Sequence, residues 1–278
     1  MISAENDLKN QSPIVGKTYV CDRDMIRKER IVLKTALATF VLLLFFFTQG
    51  AIVVIMGIDG VPSALIRGAV IWGLVAITLA YSIIRYKGIS KLGFRSAEKG
   101  AAKRMLYFSP LLLVALFPFA AGIDWKVGVA FLFANLFLTL GIGMAEEIFF
   151  RGIICGLWLK HGTVKAMMIS SILFGLSHIL NIAGGAKLFE TLLQICFALV
   201  YGMVFALIFE EGRSLLPCVL LHALHDFCSF ISGEGSAQFE VVLGAVQFIV
   251  LLVYFIYLLR MTAHKSERER ARKADEKR

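Results

Sequence analysis

Apolar segments long enough to cross a lipid bilayer recur eight times along the 278-residue chain. They lie at about 33–56, 66–84, 106–122, 127–150, 164–182, 190–209, 214–232 and 239–260. A helix rises about 1.5 Å per residue, so about 20 residues cover the roughly 30 Å of hydrocarbon in a membrane. The sequence therefore predicts an all-α fold, a polytopic membrane helical bundle of about eight transmembrane helices.

The composition agrees with a protein embedded in lipid. Hydrophobic residues make up 58% of the chain and charged residues 18%, against about 45–50% and about 25% in a typical soluble domain. A soluble domain of this size cannot bury so much apolar surface, and the mean hydropathy is +0.78. These values exclude a disordered chain, a nucleic-acid-binding domain and an ordinary soluble enzyme.

The basic residues predict how the chain is oriented in the membrane. We assign the N-terminus, residues 85–104, 151–165 and 210–213, and the C-terminal tail to one face, which then carries 26 of the 29 Lys and Arg residues. The remaining three fall on the opposite face: Arg67, Lys126 and Lys187. Basic connections stay in the cytoplasm, so both termini are predicted to be cytoplasmic.

The same distribution divides the chain into three parts. We expect a polar cytoplasmic segment at 1–30, a transmembrane helical domain at 31–260 and a basic cytoplasmic tail at 261–278. The protein is expected to be integral and multi-pass, and its compact size favours a bacterial cytoplasmic membrane.

Ionisable side chains inside membrane segments are costly and usually functional. Only the fourth, fifth and seventh apolar segments carry such residues well inside the span. They are Glu146, Glu147, Arg151, His178, His222, His225 and Asp226. This uneven distribution predicts that the functional site lies between these three segments, within a core at 127–232.

Two adjacent glutamates precede an arginine in residues 144–152. Glu147 and Arg151 are four residues apart with the acid first, which is the favourable order for an ion pair on a helix. Glu146 points about 100° away around the helix and has no partner at that spacing. We predict that Arg151 holds Glu147 and that Glu146 is free to act as a general base. A purely structural Glu–Arg clamp remains the alternative for the pair.

Helix geometry predicts that histidines meet this acid. Glu146 and His178 each lie 14 residues, or about 21 Å, from helix ends on the same side of the membrane. His222 and Asp226 share a helix face at i,i+4, and His225 lies close to that face, so either histidine can serve. We expect a polar cavity between the three helices, open to the cytoplasmic face or laterally to lipid.

Three motifs occur in order, each in a separate apolar segment: Glu146-Glu147-x-x-x-Arg151, Phe174-x-x-x-His178 and His222-x-x-x-Asp226. Together they resemble the signature of the CAAX prenyl protease 2 and bacteriocin-processing family, which consists of intramembrane endopeptidases. The similarity covers about residues 127–232, and the Phe-Arg-Gly ending of the first motif also fits.

The resemblance implies that a water molecule held between Glu146 and His178 hydrolyses a peptide bond. It places His222 and Asp226 near the carbonyl oxygen, where they stabilise the oxyanion. An ionised Asp226 cannot donate a hydrogen bond, so it is either protonated or orients His222 as the donor. We prefer the second role, with His225 as a substitute donor.

The resemblance also implies the partners and the cofactor requirement. The expected partners are the lipid bilayer and a membrane-associated peptide or protein, such as a prenylated tail, a leader peptide or a sorting tail, and no nucleic acid. A glutamate mechanism needs no cofactor. Zinc held by Glu146, His178 and His222 is the chemical alternative, although the chain contains no H-E-x-x-H motif.

Two functions of other classes stay open on the sequence. A proton-coupled transporter also uses Glu and His chains inside the membrane, but it predicts polar residues in both halves and repeat symmetry. A catalytically idle relative would act as an immunity or binding protein. The presence of every expected site residue argues against loss of activity.

Overall fold

A computed structural model describes residues 14–96, 108–233 and 235–275. Within these ranges the chain is helical, without a β-sheet, and this confirms the all-α prediction. The main helices are α1 (Ile14–Ile55), α2 (Gly60–Tyr86), α3 (Pro110–Leu116), α4 (Val129–Glu147), α5 (Thr163–Ser177), α6 (Leu188–Gly212), α7 (Leu216–Ile231) and α8 (Ala237–Asp275).

Each of the eight predicted spans corresponds to one of these helices. In the described part of the chain, six helical segments are long and apolar enough to cross a membrane. The other two, Pro110–Ala121 and Leu216–Ile231, are apolar but shorter. The fold is therefore a multi-pass membrane bundle, in which the seventh span is shorter than predicted. The predicted third span begins at residue 106, and its first two residues lie outside the described residues.

The expected terminal segments do not end where helices end. Helix α1 runs without a break through residue 30, and α8 continues past residue 260 to Asp275. Residues 1–13 of the predicted polar segment and residues 276–278 of the predicted tail lie outside the described residues. The division of the chain at residues 30 and 260 remains a prediction about charge and environment.

Helix α4 lies at the centre of the bundle, packed against α2 and α7. Glycine allows the close approach to α7, because a Cβ at Gly143 would lie only 3.1 Å from the carbonyl oxygen of Val219 and 3.2 Å from the amide nitrogen of Ala223. Helix α5 packs on α6, and a Cβ at Gly175 would lie 3.0 Å from a backbone oxygen of α6. Helix α5 also packs against residues Ile148–Cys155, which continue α4, so the three motif-bearing helices come together.

The helix that carries the two glutamates changes geometry directly after them. Residues Ile148–Cys155 form a π-helix, a rare geometry that is frequent at functional sites. The Ser170 hydroxyl of α5 donates a hydrogen bond of 2.7 Å to the Phe150 carbonyl in this segment. A regular α-helix was the expectation from sequence, and the π-helix departs from it.

Backbone hydrogen bonds show which connections share an end of the bundle. The Leu215 amide, between α6 and α7, donates to the Gly93 carbonyl, which follows α2, at 2.9 Å. At the other end Ile123 and Ser232 form an antiparallel bridge between the α3–α4 and α7–α8 connections. The connections that carry the basic residues thus lie together, as the charge argument requires.

Cysteine labelling tests the predicted orientation. Ser90→Cys and Lys126→Cys are introduced singly into a variant without native cysteines, since both side chains are exposed at opposite ends of the bundle. A membrane-impermeant maleimide added to intact cells is expected to label position 126, and position 90 only after permeabilisation. The reverse pattern would contradict cytoplasmic termini.

Candidate active site

The three motifs meet at one cavity of about 760 Å³. Five of the residues predicted for the site line this cavity: Glu146, His178, His222, His225 and Asp226. Three more stand behind its wall, and all three are buried: Glu147, Arg151 and Phe174. The structure therefore brings together the side chains that the sequence distributes over α4, α5 and α7.

Glu147 and Arg151 form the predicted ion pair. The Arg151 Nη1 and Glu147 Oε1 atoms are 2.9 Å apart, and both side chains are wholly buried. The guanidinium carbon lies 4.3 Å from the Phe174 ring centroid, a cation–π distance. On α6, Gly202 leaves room for this group, because a Cβ there would lie 3.1 Å from Arg151 Nη2. The arginine is thus fixed by charge and by shape.

The same glutamate also holds His222. Glu147 Oε1 lies 2.9 Å from His222 Nδ1, although the two residues are 75 positions apart in the sequence. A carboxylate accepts, so Nδ1 is the donor and Nε2 is directed away from Glu147. The preferred expectation was that Asp226 orients His222. The structure instead gives this hydrogen bond to Glu147.

Glu146 is the carboxylate without a fixed partner. Its Oε2 atom is buried and has no hydrogen bond within the described part of the chain. The nearest cation-forming group is His222, whose Nε2 lies 3.5 Å from Glu146 Oε2 and 3.7 Å from Asp226 Oδ2. Only 7% of the Glu146 surface is exposed. As the spacing predicts, Arg151 binds Glu147 and leaves Glu146 free.

His178 lies in the turn that follows the last residue of α5. Its Nδ1 lies 3.0 Å from the Phe174 carbonyl oxygen, so Nδ1 carries the donated hydrogen and Nε2 stays available. The Phe174 ring packs edge-on against His178 and His222, with centroid distances of 5.2 and 5.6 Å. Phe174 therefore sets the position of both imidazoles. Between Glu146 and His178 the described structure contains a shared cavity and no direct hydrogen bond.

The two histidines of α7 have different surroundings. His222 lies beside Glu146, whereas His225 Nε2 lies 2.9 Å from Gln247 Nε2 of α8. The amide donates, so this nitrogen of His225 is the acceptor and its Nδ1, 3.6 Å from Asp226 Oδ1, carries the hydrogen. His222 is therefore the histidine beside Glu146, whereas the His225 ring contacts Asp226 and Gln247.

Two glutamines near the cavity belong to no motif. Gln247 of α8 contacts His225, and Gln49 of α1 accepts a hydrogen bond from Arg67 Nε at 2.5 Å. The signal in the sequence is weak: each is a single amide in an otherwise apolar span, where a polar side chain needs a partner. Spacing along one helix cannot identify that partner.

The described residues contain no group of three Cys, His, Asp or Glu side chains arranged to hold a metal ion. His222 and His178 each use Nδ1 in a hydrogen bond, with Glu147 and the Phe174 carbonyl, and keep only Nε2. The alternative zinc set of Glu146, His178 and His222 does not form such a group in the described residues, although a zinc-binding histidine typically has its second ring nitrogen hydrogen-bonded in this way.

The cavity lies at the end of the bundle opposite to the basic connections. Its lining includes the last turns of α1 and α7, Arg67 near the start of α2, and residues 180–186 between α5 and α6. Of the two expected openings, to the basic face or laterally to lipid, this lining fits the lateral one and does not fit the basic face. Helices α5 and α7 begin at the basic end, so His178, which follows the last residue of α5, and His225 and Asp226, in the second half of α7, lie toward the opposite end.

Removing the arginine should destabilise the fold. Arg151→Met leaves Glu147 buried without its cation, which costs about 3–5 kcal/mol of unfolding free energy, and the double variant Glu147→Gln/Arg151→Met should recover part of this loss. Thermal unfolding in detergent measures both. Lys187→Met, which breaks an exposed pair, is the control and should change little. Equal effects of Arg151→Met and Lys187→Met would contradict this role.

Comparison with known proteins agrees with the geometry. Residues 128–228 match the family model described as type II CAAX prenyl endopeptidase Rce1-like, and the matched segment contains all three motifs. No curated protein matched the chain. The match supports a CAAX-type intramembrane endopeptidase at the level of the family, and it confirms the resemblance that the motifs indicate. Residues 128–228, which make up less than half of the chain, are thus similar to the Rce1-like family of type II CAAX prenyl endopeptidases.

Proposed function

We propose that this protein is an intramembrane endopeptidase that cleaves a membrane-associated peptide with a water molecule activated by Glu146. The proposal rests on one observation. The buried Oε2 atom of Glu146 has no hydrogen bond and lies 3.5 Å from Nε2 of His222, whose Nδ1 donates a hydrogen bond to Glu147. A buried acid that is left unpaired in lipid is costly, and such residues usually do chemistry.

The two adjacent glutamates have different roles in this proposal. Glu147 is occupied by Arg151 and His222 and serves to position the imidazole. Glu146 takes the proton from water, a step in which a general base typically contributes about 10²–10⁴-fold in rate. His178 holds the same water from the other side of the cavity through its free Nε2.

The side chains of the cavity can then carry out every proton transfer that the hydrolysis needs. The water oxygen attacks the peptide carbonyl carbon as its proton moves to Glu146, and the resulting oxyanion accepts a hydrogen bond from His222 Nε2–H. The C–N bond breaks as Glu146 returns the proton to the leaving nitrogen. With both ring nitrogens protonated, His222 carries the positive charge that offsets the oxyanion, and one such donor is worth about 10²–10³-fold. Asp226, an acceptor, stays beside His222 as a positioning residue.

The cavity wall suits a substrate that comes from the membrane. Helix α1 contributes apolar side chains to it, among them Leu43, Phe46 and Phe47. A prenylated tail, a leader peptide or a sorting tail would present an apolar segment to this wall. In the predicted orientation the cavity faces away from the cytoplasm, so the substrate enters from that side or laterally from lipid.

Substitution of the proposed base tests the function. Glu146→Gln removes the proton acceptor but keeps shape and polarity, so turnover should fall by about 10²–10⁴-fold while the unfolding temperature stays close to that of the wild type. The measurement uses purified protein and a fluorogenic peptide with a farnesylated cysteine followed by three apolar residues. Proteomics of membranes with wild-type and Glu146→Gln protein would reveal uncut natural peptides.

Matched controls separate this function from its alternatives. Glu190→Gln changes an exposed glutamate and should leave turnover intact. Full turnover in Glu146→Gln would end the assignment, and substrate-dependent proton flux without cleavage would indicate a transporter. Protection of cells by the Glu146→Gln/His178→Ala variant would indicate a binding role. Loss of turnover after chelation, restored by Zn²⁺, would replace the metal-free mechanism with the zinc alternative.

A further inference from the structure

Two side-chain amides on the cavity wall take no part in the proposed mechanism. Asn181 lies in the short helix Leu180–Ala183, and Gln194 lies on α6. Both line the same cavity as Glu146, and both side chains are exposed. Asn181 Nδ2 donates a hydrogen bond of 2.7 Å to Gln194 Oε1. The two residues therefore form one hydrogen-bonded unit, which we call the amide pair.

The backbone places the amide pair next to the reacting groups. The Asn181 amide donates to the His178 carbonyl at 3.0 Å, and the Asn181 carbonyl accepts from the Ala186 amide at 2.9 Å. Asn181 thus lies one helical turn beyond His178, which is roughly 5–6 Å along the chain axis. A substrate chain that is bound at His178 is therefore within reach of the amide pair.

The amide pair keeps one donor and one acceptor unused. Its internal bond takes a hydrogen of Asn181 and the oxygen of Gln194, so Asn181 Oδ1 and Gln194 Nε2 have no hydrogen bond within the described part of the chain. Turning both amides over would leave Asn181 Nδ2 and Gln194 Oε1 unused instead. In either orientation the pair presents one acceptor and one donor, which complement the N–H and C=O groups of a peptide.

Other polar side chains of the cavity, outside the proposed machinery, do not offer this combination. The hydroxyl groups of Ser177 and Ser229 donate to carbonyls of their own helices. Gln49 donates to its own helix and accepts from Arg67, and an arginine has donors but no acceptor. Among the described lining residues, the amide pair is therefore where an unused side-chain donor and an unused acceptor stand together.

A substrate that leaves water for this cavity needs such partners. A backbone N–H or C=O group that loses water without gaining a hydrogen bond is costly, above all in a membrane. The apolar side chains of α1, among them Leu43, Phe46 and Phe47, suit the side chains of a substrate but cannot pair with its backbone. Proteins commonly bind an extended peptide through hydrogen bonds to its main chain.

We propose that the amide pair binds the main chain of the substrate. Asn181 Oδ1 accepts from a peptide N–H, and Gln194 Nε2 donates to a peptide C=O. This inference rests on the proposed function and extends it to how the substrate is held. The ligand is a peptide in an extended conformation. Because the pair contacts the main chain, the side chains of the substrate at this point are free to vary.

The test removes the peptide N–H groups of the substrate one at a time. The farnesylated fluorogenic peptide is prepared as a set in which each peptide bond except the cleaved one is changed in turn to an ester, which has no N–H. With wild-type protein, one ester should lower kcat/KM by about threefold to tenfold, mainly through KM, as expected for one neutral hydrogen bond. Asn181→Leu and Gln194→Leu should each slow the all-amide peptide by a similar factor and remove the penalty of that ester.

A matched amide elsewhere provides the control. Gln238→Leu changes an exposed glutamine of α8 that does not line the cavity, and it should keep the ester penalty. Equal cleavage of every ester by the wild type would overturn the proposal. Uniformly slower cleavage by Asn181→Leu and Gln194→Leu, with the ester penalty unchanged, would show that the pair only supports the fold and would also overturn it.

Binding distinguishes failure of this inference from failure of the proposed function. In the Glu146→Gln background, fluorescence anisotropy measures binding of the all-amide peptide and of its esters without cleavage. Weaker binding of one ester, with a difference that Asn181→Leu removes, would support the main-chain site even if the wild type cleaved none of the peptides. Equal binding of the all-amide peptide and every ester would refute it even if the wild type cleaved them all.

Discussion

The structure depends on a chain of three buried polar groups, in which Arg151 binds Glu147 and Glu147 binds His222. In the interior of a membrane bundle a charge must find an opposite charge or a hydrogen bond. One arginine serves one of two adjacent acids, and that acid has a second lone pair for the imidazole. Glu146 points about 100° away around the helix. Its Oε2 atom has no hydrogen bond and lies beside Nε2, the other ring nitrogen of the same imidazole. In the proposed mechanism, this asymmetry makes Glu147 the residue that positions His222 and leaves Glu146 as the base.

The surrounding helices accommodate the linked side chains of Arg151, Glu147 and His222. Gly202 allows α6 to approach the guanidinium, and the Phe174 ring contacts Arg151 on one side and the His178 and His222 rings on the other. The π-helix begins at the residue after Glu147, and the Ser170 hydroxyl satisfies one of its carbonyls. The match of residues 128–228 to the Rce1-like family covers these elements.

Local spacing predicts what depends on a single helix. Hydropathy gives the eight helices, and the i,i+4 rule gives the Glu147–Arg151 pair and the freedom of Glu146. Contacts between helices depend on rotation and depth, which one sequence does not contain. Three features are of this kind: the hydrogen bond between His222 and Glu147, the contact of Gln247 with His225, and the end of the bundle at which the cavity lies. The π-helix packs against α5 and against the Leu92 carbonyl, which a Cβ at Gly152 would approach to 2.6 Å, and one sequence does not contain these contacts either.

The most direct measurement of the central claim is a double-mutant cycle between Glu147 and His222 on kcat/KM. It uses wild-type protein, Glu147→Gln, His222→Asn and the double variant, all verified as folded. If Glu147 acts by positioning His222, the double variant should be no slower than His222→Asn alone, because the glutamate has nothing left to position. A double variant slowed by the product of the two single effects would show that the residues act independently and would contradict this account.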